Sequence, residues 1–238
     1  MHGVTQGQPS VGAPDRRPRA SILVVEDHEL LAQTLALALS QRGFDCAAAQ
    51  LTGPVGVLQQ ARRLRPALVL LDLTLDGSDG LDLIPGLRAL GAKVLVVTGC
   101  TEDARVAAAL SLGASGWVAK AQPFERLLEA AEAVIRDRPL LADARHEELV
   151  RLGSAWLEDE HEVRERMARL TCREREVLWA LSEGESAQQI AQALTLSIGT
   201  VRSHIQAILG KLGVGSQLAA VARARLVLTP DEPPRRPG

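Results

Sequence analysis

Glu26 with Asp27, then Asp72, then Thr98, then Lys120 each stand at the tail end of a short apolar β-type run. In an open parallel sheet the carboxyl ends of the strands converge on one crevice, so residues far apart in sequence meet around a single ligand. Here three carboxylates, a hydroxyl and an ammonium would converge, a set suited to a phosphoryl switch. Grouped carboxylates repel one another, and a hard divalent cation is the usual way to hold them together at neutral pH; Mg²⁺ fits best. Such a cation shields the charge of an incoming phosphoryl group, so one carboxylate can act as nucleophile while its neighbours hold the metal. Thr98 and Lys120 would then take the phosphoryl oxygens. Singly, each is an ordinary loop, cap or surface residue; their coincidence at successive strand ends carries the reading.

The elements that must position these groups are legible as strand-then-helix repeats. Ser21 to Val25, Ala67 to Leu71 and Lys93 to Val97 are nearly continuous apolar stretches, which suits strands buried on both faces. Ser115 to Lys120 reads as a fifth strand, and Cys46 falls in another. Amphipathic stretches lie between them, with Gly43, Gly91 and Gly113 as stops and Pro123 at the start of the next helix. The alternation predicts a doubly wound α/β domain with a parallel five-stranded, flavodoxin-like sheet.

Over residues 20–138 the chain resembles the response-regulator receiver domain of two-component signalling, with every principal motif position filled. The resemblance implies that Asp72 is the phospho-accepting nucleophile. It also implies that Asp27 binds Mg²⁺ directly, Glu26 through water and Thr74 through its main-chain carbonyl. Lys120 would pair with the phosphoryl group and Thr98 would swing its hydroxyl toward it. Trp117 occupies the position of an aromatic switch residue, usually Tyr or Phe. Asp76 departs from the family pattern, which often has Pro there, and adds negative charge beside the site.

The second informative block runs from Leu170 to Val214 and reads as a compact helical bundle containing a helix-turn-helix. Thr171 with Glu174 three residues on is a capping box; Ser186 and Ser197 begin two further helices. In the last of these Val201, Ile205, Ile208, Leu209 and Leu212 share one side, so Arg202, Ser203 and Gln206 face out together. A short helix, a tight turn and a second helix of this kind lays a recognition helix into the DNA major groove. Arg202 can pair with guanine O6 and N7, and Gln206 with adenine N6 and N7.

This block is similar to the DNA-binding domain of NarL/FixJ or LuxR type, through Arg173 to Leu178, Thr200 to His204 and Lys211 to Val214. The resemblance implies Arg202, Ser203 and Gln206 as base readers, Lys211 as a phosphate contact, and the helix containing Leu218 to Arg223 as a dimerisation surface. Ala187 and Gln188 stand where the family commonly has Asn and Lys, and Gln217 replaces a common Arg. From Leu170 to Arg225 six basic residues face four acidic ones, so affinity per monomer should be modest. The missing cations leave one alternative: a receiver-containing module whose helical domain binds a protein partner, with weak or phosphorylation-independent DNA binding.

The whole chain of 238 residues carries 27 basic and 29 acidic residues, formally −2, which excludes a general polyanion binder. Residues 1–19 and 227–238, rich in Pro, Gly and charge, read as disordered tails. Neither tail has the apolar core of a signal peptide, and no run is long enough to span a membrane, so a cytoplasmic protein is expected. Cys46, Cys100 and Cys172 share no metal-ligand spacing, and His28, His146, His161 and His204 are unclustered, so no zinc site is assigned. Residues 139–168 read as a helical linker, broken into two pieces around Gly153 and the acidic run that follows, and 169–226 as the helix-turn-helix domain. The chain is thus expected to be no separate enzyme, but a transcriptional regulator phosphorylated by a sensor histidine kinase and acting on DNA as a homodimer.

Overall fold

The computed structural model describes residues 20–99 and 103–225. The two expected tails and Cys100 lie outside the described residues. The chain divides into two compact units, one through Gly153 and the other from Ser154.

In the first unit β1 (Ser21–Val25), β2 (Asp45–Ala48), β3 (Leu68–Leu71), β4 (Lys93–Thr98) and β5 (Gly116–Ala119) form one parallel sheet in the order β2-β1-β3-β4-β5. Helices α1 (Glu29–Gln41), α2 (Pro54–Leu64), α3 (Ile84–Ala89) and α4 (Asp103–Ser111) make the crossovers, and α5 (Phe124–Ile135) follows the last strand. This is the doubly wound fold the sequence predicts. β1, β3 and β4 are buried almost throughout because helices cover both faces, and this produces their continuous apolar runs. The edge strand β2 reads Asp-Cys-Ala-Ala and is half-exposed, which is why its sequence signal is weak.

Register fixes the site. Val25 pairs with Leu71, Leu71 with Val96, and Thr98 with Ala119. The amide of Asp72 continues the ladder onto the Val25 carbonyl at 2.9 Å, and that of Lys120 onto the Thr98 carbonyl at 2.9 Å. Glu26, Asp72 and Lys120 therefore leave their strands at neighbouring places on one sheet edge. A two-residue antiparallel ladder, Thr74–Leu75 with Ser78–Asp79, folds the segment after Asp72 back on itself before a 3-10 turn, Gly80–Leu83.

The second unit holds α7 (Cys172–Ser182), α8 (Ala187–Ala193), α9 (Ile198–Leu212) and α10 (Gln217–Arg225). Thr171 with Glu174 and Ser186 with Gln189 form complete capping boxes, and Ser197 caps α9. Val201, Ile205, Ile208 and Leu212 are buried with Val177, Leu178 and Ile190 in one core, while Leu209 is half-buried at its margin. That core also takes Val163 and Met167 from the segment expected to be a linker.

The segment expected as a broken helical linker, 139–168, folds differently. Instead of two pieces, a single helix, α6, runs Asp143–Ala168. The acidic run does not break it, because its charges are matched one turn on: Arg164 to Glu160 at 3.0 Å, His161 to Glu165 at 3.5 Å, and Arg166 to Glu162. Gly153 is not a breaker either. A Cβ there would lie 2.0 Å from the Ala107 carbonyl oxygen of α4, so the glycine permits a close approach of backbones.

This decides the sign of a substitution. In an isolated helix Gly→Ala stabilises by about 1 kcal/mol, whereas overpacking against a fixed backbone costs about 1–3 kcal/mol. Gly153→Ala is therefore expected to lower the melting temperature in circular-dichroism melts of the full chain. A higher melting temperature would show that helix propensity outweighs the contact with α4.

Candidate phosphoryl site and nucleic-acid interface

Glu26 and Asp72 are each 4 % exposed, and both carboxylates meet one ammonium. Lys120 Nζ lies 2.6 Å from Glu26 Oε2 and donates to Asp72 Oδ2 at 2.7 Å. The other Asp72 oxygen accepts the Thr74 amide at 3.2 Å. Asp27 accepts the Asp76 amide at 3.1 Å on Oδ2. Asp76 itself is exposed, so this departure from the family pattern brings a main-chain donor toward the acid pair as well as a side-chain charge. His28, which no motif marks, places Nδ1 2.9 Å from Glu26 Oε1 and 2.8 Å from Asp27 Oδ1.

The electrostatics follow from this crowding. Burial alone would lower the Lys120 pKa, but the hydrogen bonds and charges of Asp72 and Glu26 outweigh it and raise the value above that of an ordinary lysine. Burial alone would raise the Asp27 carboxyl; the adjoining Glu26 and His28 side chains together bring it below the usual carboxylate value. His28 is raised, first by its hydrogen bond to Glu26 and then by the charge of Asp27.

The donor set fits a hard divalent cation. Asp27 Oδ1 is buried and has no aligned hydrogen-bond partner among the described residues, despite the nearby His28 ring. Ligand atoms of Glu26, Asp27 and His28 lie within 4.8 Å of one another. Carboxylate oxygens with a main-chain carbonyl are the ligands Mg²⁺ prefers.

The remaining positions are more dispersed. Thr98 is 1 % exposed at the end of β4. Trp117 is half-buried in β5 and lines a cavity of about 190 Å³ with Arg126 and Leu140. Arg105, without a motif to mark it, reaches from the first turn of α4 to the Leu73 carbonyl at 3.2 Å and to Asp79 Oδ1 at 2.7 Å.

In the second unit Arg202, Ser203 and Gln206 are exposed together on α9, opposite its buried stripe. The Ser203 hydroxyl donates to the Gly199 carbonyl at 3.1 Å and keeps its lone pairs for an incoming donor. Lys211, expected at a phosphate, has its ammonium on Glu174, at 2.8 Å from Oε1 and 2.6 Å from Oε2. Glu174 is 5 % exposed and also accepts the Thr171 amide at 2.7 Å, so one carboxylate caps α7 and anchors α9. The Leu212 carbonyl at the end of α9 accepts from Arg166 at 2.8 Å.

Residues 22–132 match the family model described as response regulator receiver domain, and 168–224 that of bacterial regulatory proteins, luxR family. A nitrate/nitrite response regulator protein homolog of Haemophilus influenzae is 31 % identical over 205 residues, 85 % of this chain and 94 % of that one. The nitrate/nitrite response regulator protein NarP of Escherichia coli is 30 % identical over 201 residues, 84 % of this chain and 91 % of its own. The transcriptional regulatory protein DesR of Bacillus subtilis is 27 % identical over 206 residues, 86 % of this chain and 96 % of its own. Among the described residues no single helix is long and apolar enough to cross a membrane.

Burial would raise the Glu174 pKa, but the Lys211 hydrogen bond and the Thr171 amide bring it below the ordinary value. A depressed folded value means stability that is present above the unfolded glutamate pKa of about 4.3 and lost as pH falls through the folded one. Glu174→Gln is expected to cost about 1–2 kcal/mol at pH 7, the low range because Lys211 is partly exposed. Melts across pH should show a shallower acid decline in the variant than in the parent. Parallel declines would remove Glu174 from that titration.

Proposed function

This chain belongs to the response regulators that join a receiver domain to a LuxR-type DNA-binding domain, and from that premise we propose that Asp72 is its phosphorylation site. The chain is a DNA-binding transcriptional regulator. The observation that carries the site assignment is Lys120 held between Glu26 and Asp72 at 2.6 and 2.7 Å, beside an Asp27 oxygen without an aligned hydrogen bond.

An Asp72 oxygen attacks the phosphorus of a phosphohistidine on a sensor kinase; the new O–P bond forms as the P–N bond breaks and the imidazole leaves. Asp27, Asp72 and the Thr74 carbonyl would hold Mg²⁺, with Glu26 acting through water. When bound, the cation offsets charge on the phosphoryl oxygens. Lys120 exchanges one of its carboxylates for a phosphoryl oxygen, and Thr98 turns its hydroxyl toward another. The modification adds roughly −1.5 to −2 of charge, and β5 with Trp117 adjusts as Lys120 and Thr98 move. The receiver assists its own transfer and dephosphorylation and has no separate substrate.

Arg202, Ser203 and Gln206 read base edges in the major groove. With Lys211 engaged by Glu174, its contribution to DNA is chiefly to fix α9 on α7, with any phosphate contact secondary. Two copies on half-sites about one helical turn apart supply the phosphate contacts that one mildly basic domain lacks. The compartment is the cytoplasm, where the kinase's phosphohistidine and the DNA are both met.

Incubated with a small phosphodonor and Mg²⁺, the parent is expected to gain one phosphoryl group by intact mass, and Asp72→Ala none while keeping its circular-dichroism spectrum. Labelling of Asp72→Ala like the parent would overturn the site. On a selected duplex Arg202→Ala is expected to lose about 1–3 kcal/mol and to relax base preference. Gel shifts across a salt series test this, and equal losses on selected and random DNA would exclude base reading by Arg202.

A further inference from the structure

The segment Leu73 to Gly80 is a closed loop that donates two main-chain amides to the acid cluster. Its neck is the Leu73 carbonyl, which accepts the Gly80 amide at 3.0 Å. The neck is tight: a Cβ on Gly80 would lie 2.2 Å from the Asp72 carbonyl oxygen. Within the loop the Thr74 amide donates to Asp72 and the Asp76 amide to Asp27. Any shift of the neck therefore moves two donors on the acids and the Thr74 carbonyl with them.

Arg105 enters this neck from α4. Its Nη2 donates to the same Leu73 carbonyl at 3.2 Å and to Asp79 Oδ1 at 2.7 Å. Asp79 Oδ1 in turn accepts the Leu81 amide at 2.9 Å, so the guanidinium ties the residue before the small ladder and the last residue of its second strand to α4. Both side chains are about three-quarters buried, which strengthens the pair relative to a surface one.

We propose that Arg105 is a positioning residue for the phosphoryl site: from α4 it holds the Leu73–Gly80 loop in the geometry that presents the Thr74 carbonyl to the cation and the loop amides to Asp27 and Asp72. The inference rests on the assignment of those residues as the cation and phosphoryl site. It makes metal affinity depend on α4, and the position of α4 depend on what the acid cluster holds. Arg105 touches neither cation nor phosphoryl group; it acts through the backbone one residue beyond Asp72.

The test is calorimetric titration of the full chain with Mg²⁺, well below its melting temperature. Arg105→Gln and Asp79→Asn should each weaken binding by about tenfold, the lower end for residues that orient metal ligands. Asn at 79 retains an oxygen for the Leu81 amide, so that variant removes charge and keeps the turn. The double variant should bind about as weakly as either single one, because both remove the same contact. Arg105→Lys should recover part of the affinity. Binding within twofold of the parent in both single variants, or losses that multiply in the double variant, would overturn the proposal. Asp27→Asn separates the underlying reading: if it loses Mg²⁺ while the Arg105 variants do not, only the role of Arg105 fails. If Asp27→Asn binds like the parent, the cation site itself is wrong and the proposal falls with it.

Discussion

Carboxylates at the ends of adjacent parallel strands repel each other, and in this chain Glu26 and Asp72 are nearly buried with one ammonium between them. Lys120 is the group that makes the arrangement tolerable. Each partner raises the ammonium pKa against the opposing effect of burial, so it stays charged throughout the physiological range. The other charge of the cluster, on Asp27, is met by main-chain donation from Asp76 and by the His28 ring. A site balanced in this way would respond to the proposed phosphorylation of Asp72, because the added phosphoryl group would compete for the same lysine.

That balance depends on the sheet. Parallel pairing of β1, β3, β4 and β5 puts the ends of four strands in a row, and the ladder extends to the Asp72 and Lys120 amides themselves. Because helices cover both faces, the central strands are apolar along their length, and polar residues first appear where the strands emerge. The chemistry stands there for the same reason. The loop after β3 adds what side chains alone cannot: amides aimed at the acids, held by Gly80 and Arg105 at the neck.

The helical unit solves a comparable problem with fewer charges. Glu174 is buried at the start of α7, where the dipole and the Thr171 amide favour a carboxylate, and its remaining capacity takes Lys211 from α9. Arg166 of α6 occupies the carbonyl of Leu212, the residue next to Lys211. The exposed face of α9 is thereby left to Arg202, Ser203 and Gln206. Neither the Arg202 nor the Gln206 side chain has a hydrogen bond or ion pair among the described residues, in keeping with the base contacts proposed for them.

Signals that live in local periodicity were legible from residues alone. The three buried strands, the glycine stops, the capping boxes at Thr171 and Ser186, and the buried stripe of α9 each depend on neighbours a few positions apart. So did the site residues' positions at strand ends, since the ends of apolar runs are visible in sequence. Partnerships across the fold were not visible. Lys211 reads as a free cation until α9 is packed on α7; Arg105 and Asp79 are separated by an intervening strand and helix. Gly153 shows why composition misled: its helix-breaking tendency is a property of the isolated chain, and the Ala107 carbonyl that demands a residue without a Cβ is supplied only by the folded α4. Residue types and their spacing determined which groups could do chemistry, whereas packing decided which charges remained available to do it, because charge pairing and close approach depend on distance in space.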